Sequence, residues 1–332
     1  MNILIVRVSS LGDVVHTMPM VADILRHAPH ASIDWVVEEN YVALVRLNPG
    51  VREVIPFALR RWRKSLLTSA TRTEMCAFRQ RLREREYDVV FDPQGLLKTA
   101  LVMRMARLSP GGRRVGLANA TEGSGYESIS RLFHTHSIPV GVRTHAVERG
   151  RVLAAAALGY RLDAPADFNL QMPAADPRPA WLPVQPYSVF FHATARAAKQ
   201  WPVTGWIGIA GDLAERGMPV LLPWGSPAER RAAEQLAAQM PNAQVLPALS
   251  MMEAVLLARD ATLAIGVDSG LTHIAAALKR PTIELYIDSP RWKTEGNWSG
   301  NIINLGDQGR APTLLEVRHA MATLLSIPMR QP

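Results

Sequence analysis

Residues 1–27 read MNILIVRVSSLGDVVHTMPMVADILRH, and this stretch decides the fold. Residues 3–8 form an apolar, β-branched run that is typical of a buried strand, and residues 15–27 have the apolar spacing of a helix. The loop between them, residues 9–13, contains Gly12 and ends in Asp13. A buried strand that passes through a short loop into a helix predicts the first unit of a parallel α/β sheet.

The alternation of strand and helix continues through both halves of the chain. In the first half, strands are predicted at residues 33–37, 54–57, 88–91 and 114–117, and helices at residues 72–86, 96–108 and 145–158. In the second half, strands are predicted at residues 188–192, 219–222, 243–246, 263–267 and 282–286, and helices at residues 203–216, 227–239, 251–259 and 271–278. This spacing predicts two parallel sheets with helices on both faces.

A proline-rich stretch at residues 163–186 separates the two halves, and prolines at this density argue against a helix or a central strand. The predicted parts are a first domain at residues 1–165, a linker at 166–186, a second domain at 187–312, and a terminal helix and tail at 313–332. A return of that helix to the first domain is left open. Two Rossmann-like, doubly wound domains facing a central cleft make the GT-B class of α/β fold, in which ligands bind at the carboxyl ends of the strands.

Composition narrows the function classes. The 332 residues carry a formal charge of +8, so an anionic partner is expected: nucleic acid, an anionic membrane face or a phosphorylated substrate. The single cysteine, Cys76, excludes an intrachain disulfide and suits a reducing cytoplasm. The first apolar run is too short for a signal peptide and no apolar run is long enough to span a bilayer. We expect a cytoplasmic protein, soluble or peripheral on a membrane.

Several common site motifs are absent from the sequence. There is no G-x-G-x-x-G after the first strand and no phosphate-binding P-loop, which disfavours nicotinamide dehydrogenases and P-loop NTPases. There is also no Asp-x-Asp pair and no H-x-x-x-H pair, so neither a metal nor another cofactor is expected. If a diphosphate leaves at this site, cationic side chains of the protein must neutralise it.

The first candidate site is the loop at residues 9–16, which follows the first strand. Gly12 permits close backbone approach, and the Asp13 carboxylate at the sheet edge could accept a proton from an attacking hydroxyl. The alternative is that Ser9, Ser10 or Asp13 only caps the following helix.

The second and third candidates follow strands of the second half. Thr194, Arg196 and Lys199 offer donors suited to a diphosphate, unless they are ordinary solvated side chains of an exposed loop. At residues 266–273 a strand ends in Asp268 and runs into a helix. The amides of Ser269 and Gly270 could hold a phosphate there, with Asp268 gripping sugar hydroxyls. A plain helix cap is the alternative, and a lone histidine such as His273 is more often a packed structural residue.

The fourth candidate is a basic segment, residues 60–64, which reads Arg60-Arg61-Trp62-Arg63-Lys64. Its charges suit sugar acids, lipid phosphates or a headgroup layer. A solvated face is the usual explanation of such a run. Nucleic acid would fit the charge, but no nucleic-acid-binding motif accompanies it.

Together these stretches resemble the heptosyltransferases of lipopolysaccharide core synthesis. The landmarks occur in the family's order: residues 5–17, 34–39, 60–64, 192–194, 199–202, 222–225 and 268–273. The Arg-Arg-Trp-Arg-Lys segment and the Trp-Val-Val-Glu-Glu strand at residues 35–39 are more similar to heptosyltransferase I than to the second or third type.

The resemblance implies an inverting, metal-independent transfer of L-glycero-D-manno-heptose from ADP-heptose to Kdo-lipid A, at the cytoplasmic face of the inner membrane of a Gram-negative cell. Asp13 would be the general base. The donor site would comprise Gly12 of the first domain and, in the second domain, Thr194, Lys199, Glu229, Asp268, Ser269, Gly270 and His273, with Glu229 placed for the ribose. The acceptor site in the first domain would comprise Arg60, Arg61, Arg63 and Lys64, with Trp62 packed beneath them. We also expect the charge of Lys199 to lower the pKa of Asp13.

Some features depart from the family's pattern. Ala195 stands where a second hydroxyl residue is expected, and residues 119–127 and 288–300 have no interpretation from sequence. A later-acting heptosyltransferase, of the second or third type, is the main alternative. A basic nucleotide-binding module without catalysis is a remote one, because it leaves Asp13 and Asp268 without a role.

Overall fold

The computed structural model describes residues 1–172, 179–194 and 196–326. The middle of the predicted linker, Ala195 and residues 327–332 lie outside the described residues. The chain divides into two compact units, Met1–Gln171 and Met172–Pro332. The boundary between them falls within the linker predicted at residues 166–186.

The first unit is an α/β unit whose strands and helices alternate along the chain. Its strands are β1 (Asn2–Val6), β2 (Ser32–Glu38), β3 (Val51–Phe57), β4 (Glu86–Asp92), β5 (Arg107–Leu117) and β6 (His136–Ile138). Its helices are α1 (Leu11–His27), α2 (Val42–Val45), α3 (Leu59–Trp62), α4 (Ser69–Arg83), α5 (Leu97–Met105) and α6 (Ala146–Leu158).

The second unit repeats this pattern. Its strands are β7 (Ser188–Phe191), β8 (Val220–Leu222), β9 (Ala243–Val245), β10 (Leu263–Val267), β11 (Thr282–Tyr286) and β12 (Ile302–Gly306). Its helices are α7 (Val203–Ala214), α8 (Pro227–Ala237), α9 (Met251–Asp260), α10 (Gly270–Ala277) and α11 (Leu314–Ser326).

Both sheets are parallel and have the same strand order. The first runs β3-β2-β1-β4-β5-β6 and the second β12-β11-β10-β7-β8-β9. Numbered from the first strand of its own unit, each is the doubly wound order 3-2-1-4-5-6. The order reverses between β1 and β4 and between β7 and β10, and ligands bind beyond the strand ends at such a switch point. Asp13, Thr194 and Asp268 all follow these strands.

Fully buried apolar residues explain why the central strands form. Ile3, Leu4, Ile5 and Val6 of β1 are inaccessible to solvent, as expected for strands covered by helices on both faces. The edge strands β6 and β12 were not predicted, because each mixes polar with apolar residues.

One other expectation is corrected. The helix predicted at residues 96–108 ends at Met105, because Arg107 and Leu108 pair with β4 as the start of β5. The terminal helix, α11, buries Val317 and Met321 in the core of the second unit. No helix in the described ranges is long and apolar enough to cross a membrane.

Candidate active site

Asp13 lies in the first turn of α1, after the carboxyl end of β1. Its Oδ2 accepts hydrogen bonds from the backbone amide and the hydroxyl of Ser10, at 3.1 and 2.9 Å. Ser10 is the N-cap residue, so the capping alternative describes part of what Asp13 does. About a third of the Asp13 side chain remains exposed.

Two arginines face the other carboxylate oxygen of Asp13. Arg7 lies 2.5 Å from Oδ1, and Arg149 of α6 lies 3.6 Å from it. Each guanidinium is held by a second contact: Arg7 donates to the carbonyl of Pro93 and Arg149 to the hydroxyl of Thr121. Thr121 belongs to the segment at 119–127 that had no interpretation, and its contact with Arg149 gives that segment a supporting role.

The arginines set the protonation state of Asp13. Burial alone would raise the pKa of its carboxyl, but the charges of Arg7 and Arg149 and the hydrogen bond from Ser10 hold that pKa well below its usual range. The expectation that Lys199 supplies this charge was therefore wrong about the source. Burial and the neighbouring Arg7 lower the pKa of Arg149 to about 10, so Arg149 is still charged at neutral pH.

A buried ion pair holds α6 against α1. The Arg151 guanidinium donates to both oxygens of Asp23, at 2.6 and 3.2 Å, and to the carbonyl of Ala164. Both charged side chains are almost completely buried. Arg149 lies two residues earlier on α6, so this pair fixes the helix that places Arg149 beside Asp13.

The loops after β4 and β2 complete this edge of the first sheet. The Gln94 side chain accepts from the amide of Val8, and the Lys98 ammonium donates to the hydroxyl of Ser9. Burial lowers the pKa of Lys98 and raises that of Glu38, which ends β2. Sequence reasoning did not assign these residues.

Only some of the cationic side chains of the basic segment are paired with carboxylates. Arg61 is paired with Glu39 at 3.1 Å and with Glu74 at 2.7 Å, whereas Arg63 and Lys64 are exposed and pair with no carboxylate in the part of the chain described. Trp62 is buried in the core of the unit, with its indole donating to Glu74. The expectation that Trp62 packs beneath the charges agrees with this arrangement.

The segment continues into a turn that exposes two leucines. Arg60 lies over the ring of Tyr41, with its guanidinium carbon 5.9 Å from the ring centre. Leu67 is 85% exposed and Leu66 50% exposed. The turn that carries them is closed by the side chain of Thr68, which caps α4. Cationic and apolar side chains therefore share one exposed tip of the first unit.

Asp268 begins the site of the second unit, directly after β10. Its Oδ2 lies 2.5 Å from the ammonium of Lys199. Its Oδ1 accepts from His273 at 3.1 Å and from the hydroxyl of Thr294 at 3.2 Å. Lys199 is mostly buried and ion-paired, which does not fit the alternative of a solvated loop charge.

His273 joins Asp268 to a second buried carboxylate. Its Nδ1 lies 3.0 Å from Glu284 in the middle of β11. The other Glu284 oxygen accepts from the hydroxyl of Tyr286 and the amide of Gly296. Burial alone would lower the pKa of His273, but the two carboxylates raise it to about 10, so both ring nitrogens carry protons at neutral pH.

The turn between β10 and α10 is tightly packed. Ser269 is the N-cap residue and Gly270 the first residue of α10, so their amides face the carboxyl end of β10. The Thr272 hydroxyl donates to the carbonyl of Val267 at 2.7 Å. A side chain on Gly266 would collide with Thr272, which explains the glycine there.

Thr194 and Glu229 line a separate pocket of about 400 Å³ between α7 and α8. Trp206 and Leu236 contribute its apolar wall. The buried His192 faces the pocket, and its Nε2 has no hydrogen-bond partner among the described residues. The donor-binding residues predicted from sequence thus form two groups, the charged cluster at Asp268 and this pocket.

Gly12, the remaining predicted donor residue, is the second residue of α1 and lies in the first unit. In the described residues no group of three or more His, Cys, Asp or Glu side chains could hold a metal ion. Sequence reasoning missed Arg7, Arg149 and Glu284. Of these, Glu284 carried a signal, since it is the one charge in the apolar strand TIELY.

Comparisons with known proteins point to one family. The model of glycosyltransferase family 9 (heptosyltransferase) matches residues 75–320. A lipopolysaccharide heptosyltransferase 1 of Pseudomonas aeruginosa is 42% identical, over 86% of this chain and 78% of that protein. One of Escherichia coli K12 is 38% identical, over 86% of this chain and 88% of that protein. The second and third heptosyltransferases of that strain are each 25% identical.

A solved structure supports the same grouping. The E. coli heptosyltransferase WaaC with ADP has a TM-score of 0.83 and 32% identity, covering 98% of this chain and all of that one. The GT-B fold class predicted from sequence is confirmed by this match. The resemblance to heptosyltransferase I is confirmed as well.

Proposed function

This chain belongs to glycosyltransferase family 9, the heptosyltransferases of lipopolysaccharide core synthesis, and from that premise we propose that it transfers heptose from ADP-heptose to a Kdo residue of Kdo-lipid A. The observation that carries the proposal is a pair of carboxylate sites at the switch points of the two sheets. One offers a carboxylate to an acceptor hydroxyl, and the other offers cations to a diphosphate.

The donor would bind to the second unit. The amides of Ser269 and Gly270, with the cation of Lys199, suit the two phosphates, because helix N-termini and ammonium groups both stabilise anions. Asp268 would hold heptose hydroxyls, and Thr194 and Glu229 would contact the diphosphate and the ribose. The WaaC structure with ADP, at 32% identity, supports the choice of an ADP-linked donor.

Asp13 would be the general base of an inverting displacement. Its carboxylate is ionised at neutral pH and partly exposed, so it can accept a proton from the attacking hydroxyl. Arg7 and Arg149 keep this carboxylate ionised before the transfer, so that it is ready to take the proton. Lys199 and the α10 amides would neutralise the leaving diphosphate without a metal ion.

The basic segment would face the anionic acceptor. Arg60, Arg61, Arg63 and Lys64 suit Kdo carboxylates or lipid A phosphates, and Leu66 and Leu67 suit the headgroup boundary of an anionic membrane. Replacing both leucines by serine should lower sedimentation with phosphatidylglycerol vesicles several-fold. Leu132→Ser is the control, because Leu132 is also exposed but lies elsewhere in the unit. Equal sedimentation of both variants would remove the leucines from this role.

The deciding experiment measures ADP release from ADP-heptose with and without de-acylated Kdo-lipid A, using Asp13→Ala as the control. Release that needs the acceptor and is lost in the variant supports donor, acceptor and base together. Release only with an already heptosylated core would reassign the protein to a later heptosyltransferase. No release with either acceptor would mean that the donor is wrong.

A further inference from the structure

Glu284 is a buried charge that the proposed reaction does not use. It is the third residue of β11, between Ile283 and Leu285, and it is fully inaccessible to solvent. A carboxylate in a fully buried strand destabilises the fold unless it is paired and hydrogen-bonded. Here it accepts from Tyr286 and Gly296 on one oxygen and from His273 on the other.

The contacts form a row of alternating charges: Lys199, Asp268, His273 and Glu284. The two cations of the row share one carboxylate, since Lys199 contacts Oδ2 of Asp268 and His273 contacts Oδ1. They differ in position. His273 lies on α10 with its ring buried, whereas Lys199 lies in the loop after β7 and keeps some exposure. Lys199 is thus the cation of the row that an arriving anion can reach.

If Lys199 turned to a diphosphate, Asp268 would lose one of its two counter-ions. A buried carboxylate left without a partner costs several kcal/mol, which would oppose binding. A permanently protonated His273 removes this cost, because it stays on Asp268 when Lys199 leaves. Glu284 contacts the Nδ1 nitrogen of the ring, and Asp268 contacts the Nε2 nitrogen.

We propose that Glu284 is a positioning residue that keeps His273 charged, so that Asp268 retains a counter-ion while Lys199 moves to the diphosphate of the donor. The inference rests on the proposed function for its ligand, but the link between Glu284 and His273 does not depend on any ligand. It assigns a role to a strand residue that touches neither substrate.

The groups around His273 and its two carboxylates come from three parts of the second unit. Asp268 follows β10 and also contacts Lys199, and Glu284 of β11 accepts from the hydroxyl of Tyr286. In the segment at residues 288–300, the Thr294 hydroxyl donates to Asp268 and the Gly296 amide to Glu284, and neither group carries a charge. Glu284 is therefore the group whose removal changes the charge on the Nδ1 side of the ring.

The experiment compares the wild-type protein with Glu284→Gln. Binding of ADP is measured by calorimetry between pH 6 and pH 8.5. Because wild-type His273 keeps both protons over this range, the wild-type curve contains the titration of the ADP phosphate but not that of His273. The affinity of Glu284→Gln should match wild type near pH 6 and then fall relative to wild type, by up to about tenfold per pH unit, as His273 loses a proton.

Tyr286→Phe is the matched control, because it removes a hydrogen bond to Glu284 but leaves the contact with His273 intact. It should bind ADP with the same pH dependence as wild type. A Glu284→Gln variant that also has the pH dependence of wild type would overturn the proposal, even if its melting temperature were lower. That result would leave Glu284 with a purely structural role.

A second measurement uses only the ligand-free wild type, in case the variant does not fold. Nuclear magnetic resonance of the His273 ring should show both nitrogens protonated from pH 6 to pH 8.5. Titration of this ring near pH 6.5 would refute the proposal directly. If instead the ring stays protonated but ADP does not bind at any pH, the proposed function fails and the Glu284–His273 link stands.

Discussion

Asp13 and Asp268 both lie at the switch point of their sheet, yet their surroundings differ. Each lies beyond the carboxyl end of a strand at the switch point of its sheet, and each contacts two cations. About a third of the Asp13 side chain is exposed, whereas Asp268 is 11% exposed and accepts from three side chains. The same topology therefore supports one carboxylate that can meet a substrate proton and another that organises the cations around it.

The cations differ as well. Asp13 faces two arginines, which remain charged at any ordinary pH and are themselves held by backbone or hydroxyl groups. Asp268 faces a lysine and a histidine, and the charge of that histidine depends on a second carboxylate. The two counter-ions of Asp13 thus keep their charge near neutral pH, whereas the charge of one counter-ion of Asp268 depends on a residue buried in β11.

Replacing Asp13 by asparagine tests the first half of this comparison and has the largest expected effect. Asparagine keeps the shape but cannot accept the proton, so turnover should fall by about 10² to 10⁴. The free energy of unfolding should also fall, because Arg7 and Arg149 lose their shared carboxylate. The loss should be smaller than for a fully buried pair, since about a third of the Asp13 side chain is exposed. Steady-state kinetics and urea unfolding measure the two quantities. Near-normal turnover would show that Asp13 is a helix cap only.

Asp268→Asn should lower the free energy of unfolding more than Asp13→Asn does. Breaking a buried ion pair costs about 3–5 kcal/mol, and here the variant leaves two cations without their shared carboxylate. We expect a lower free energy of unfolding, measured by urea titration, together with altered ADP affinity. If Asp268→Asn were as stable as Asp13→Asn, the distinction between the exposed and the buried carboxylate would be wrong.

Arg149→Met should have the smallest effect of the three, and it tests whether Arg149 lowers the pKa of Asp13. Loss of this charge raises the pKa of Asp13 toward its ordinary value, while Arg7 remains. The acid limb of kcat/KM should therefore move to higher pH, with the rate at pH 7 changed by roughly tenfold or less. A pH–rate profile that does not move would mean that Arg149 does not influence the base.

The stability that Asp13 contributes has a defined pH dependence. Its folded pKa lies below its unfolded pKa, so the contribution is complete above the unfolded value and is lost as the pH falls through the folded one. His273 behaves oppositely, because its contribution is complete below about pH 6.5 and is lost as the pH rises through about 10.

The sequence predicts the central strands well because they are fully buried. The bounds predicted for β10 and β11, residues 263–267 and 282–286, agree with the structure at both ends. The edge strands β6 and β12 were missed, and β5 was shortened because Pro110, Gly111 and Gly112 resemble a turn although β5 continues through them. Burial on both faces leaves a signal in the sequence that a single paired edge does not.

Site residues are also predictable only where the sequence carries a local signal. Asp13, Lys199 and Asp268 stand in motifs beside a strand end, and the structure places them at the sheet edges. Arg149 could not be predicted, since it reaches Asp13 only through the packing of α6 on α1. The cause of the Asp13 pKa was misjudged for this reason, because charges brought together by packing are invisible to local spacing.

The shared strand order has a consequence for how the chain folds. Each site is assembled where the first and fourth strands of a unit pair, and the bond from Val8 to Gln94 joins residues 86 positions apart. Closing so long a loop costs conformational entropy before any contact forms, so this pairing is a slow step in folding. A nascent chain that has emerged only as far as β3 already contains Asp13 but lacks Gln94 and Arg149. Each site is therefore complete only after most of its unit has been synthesised.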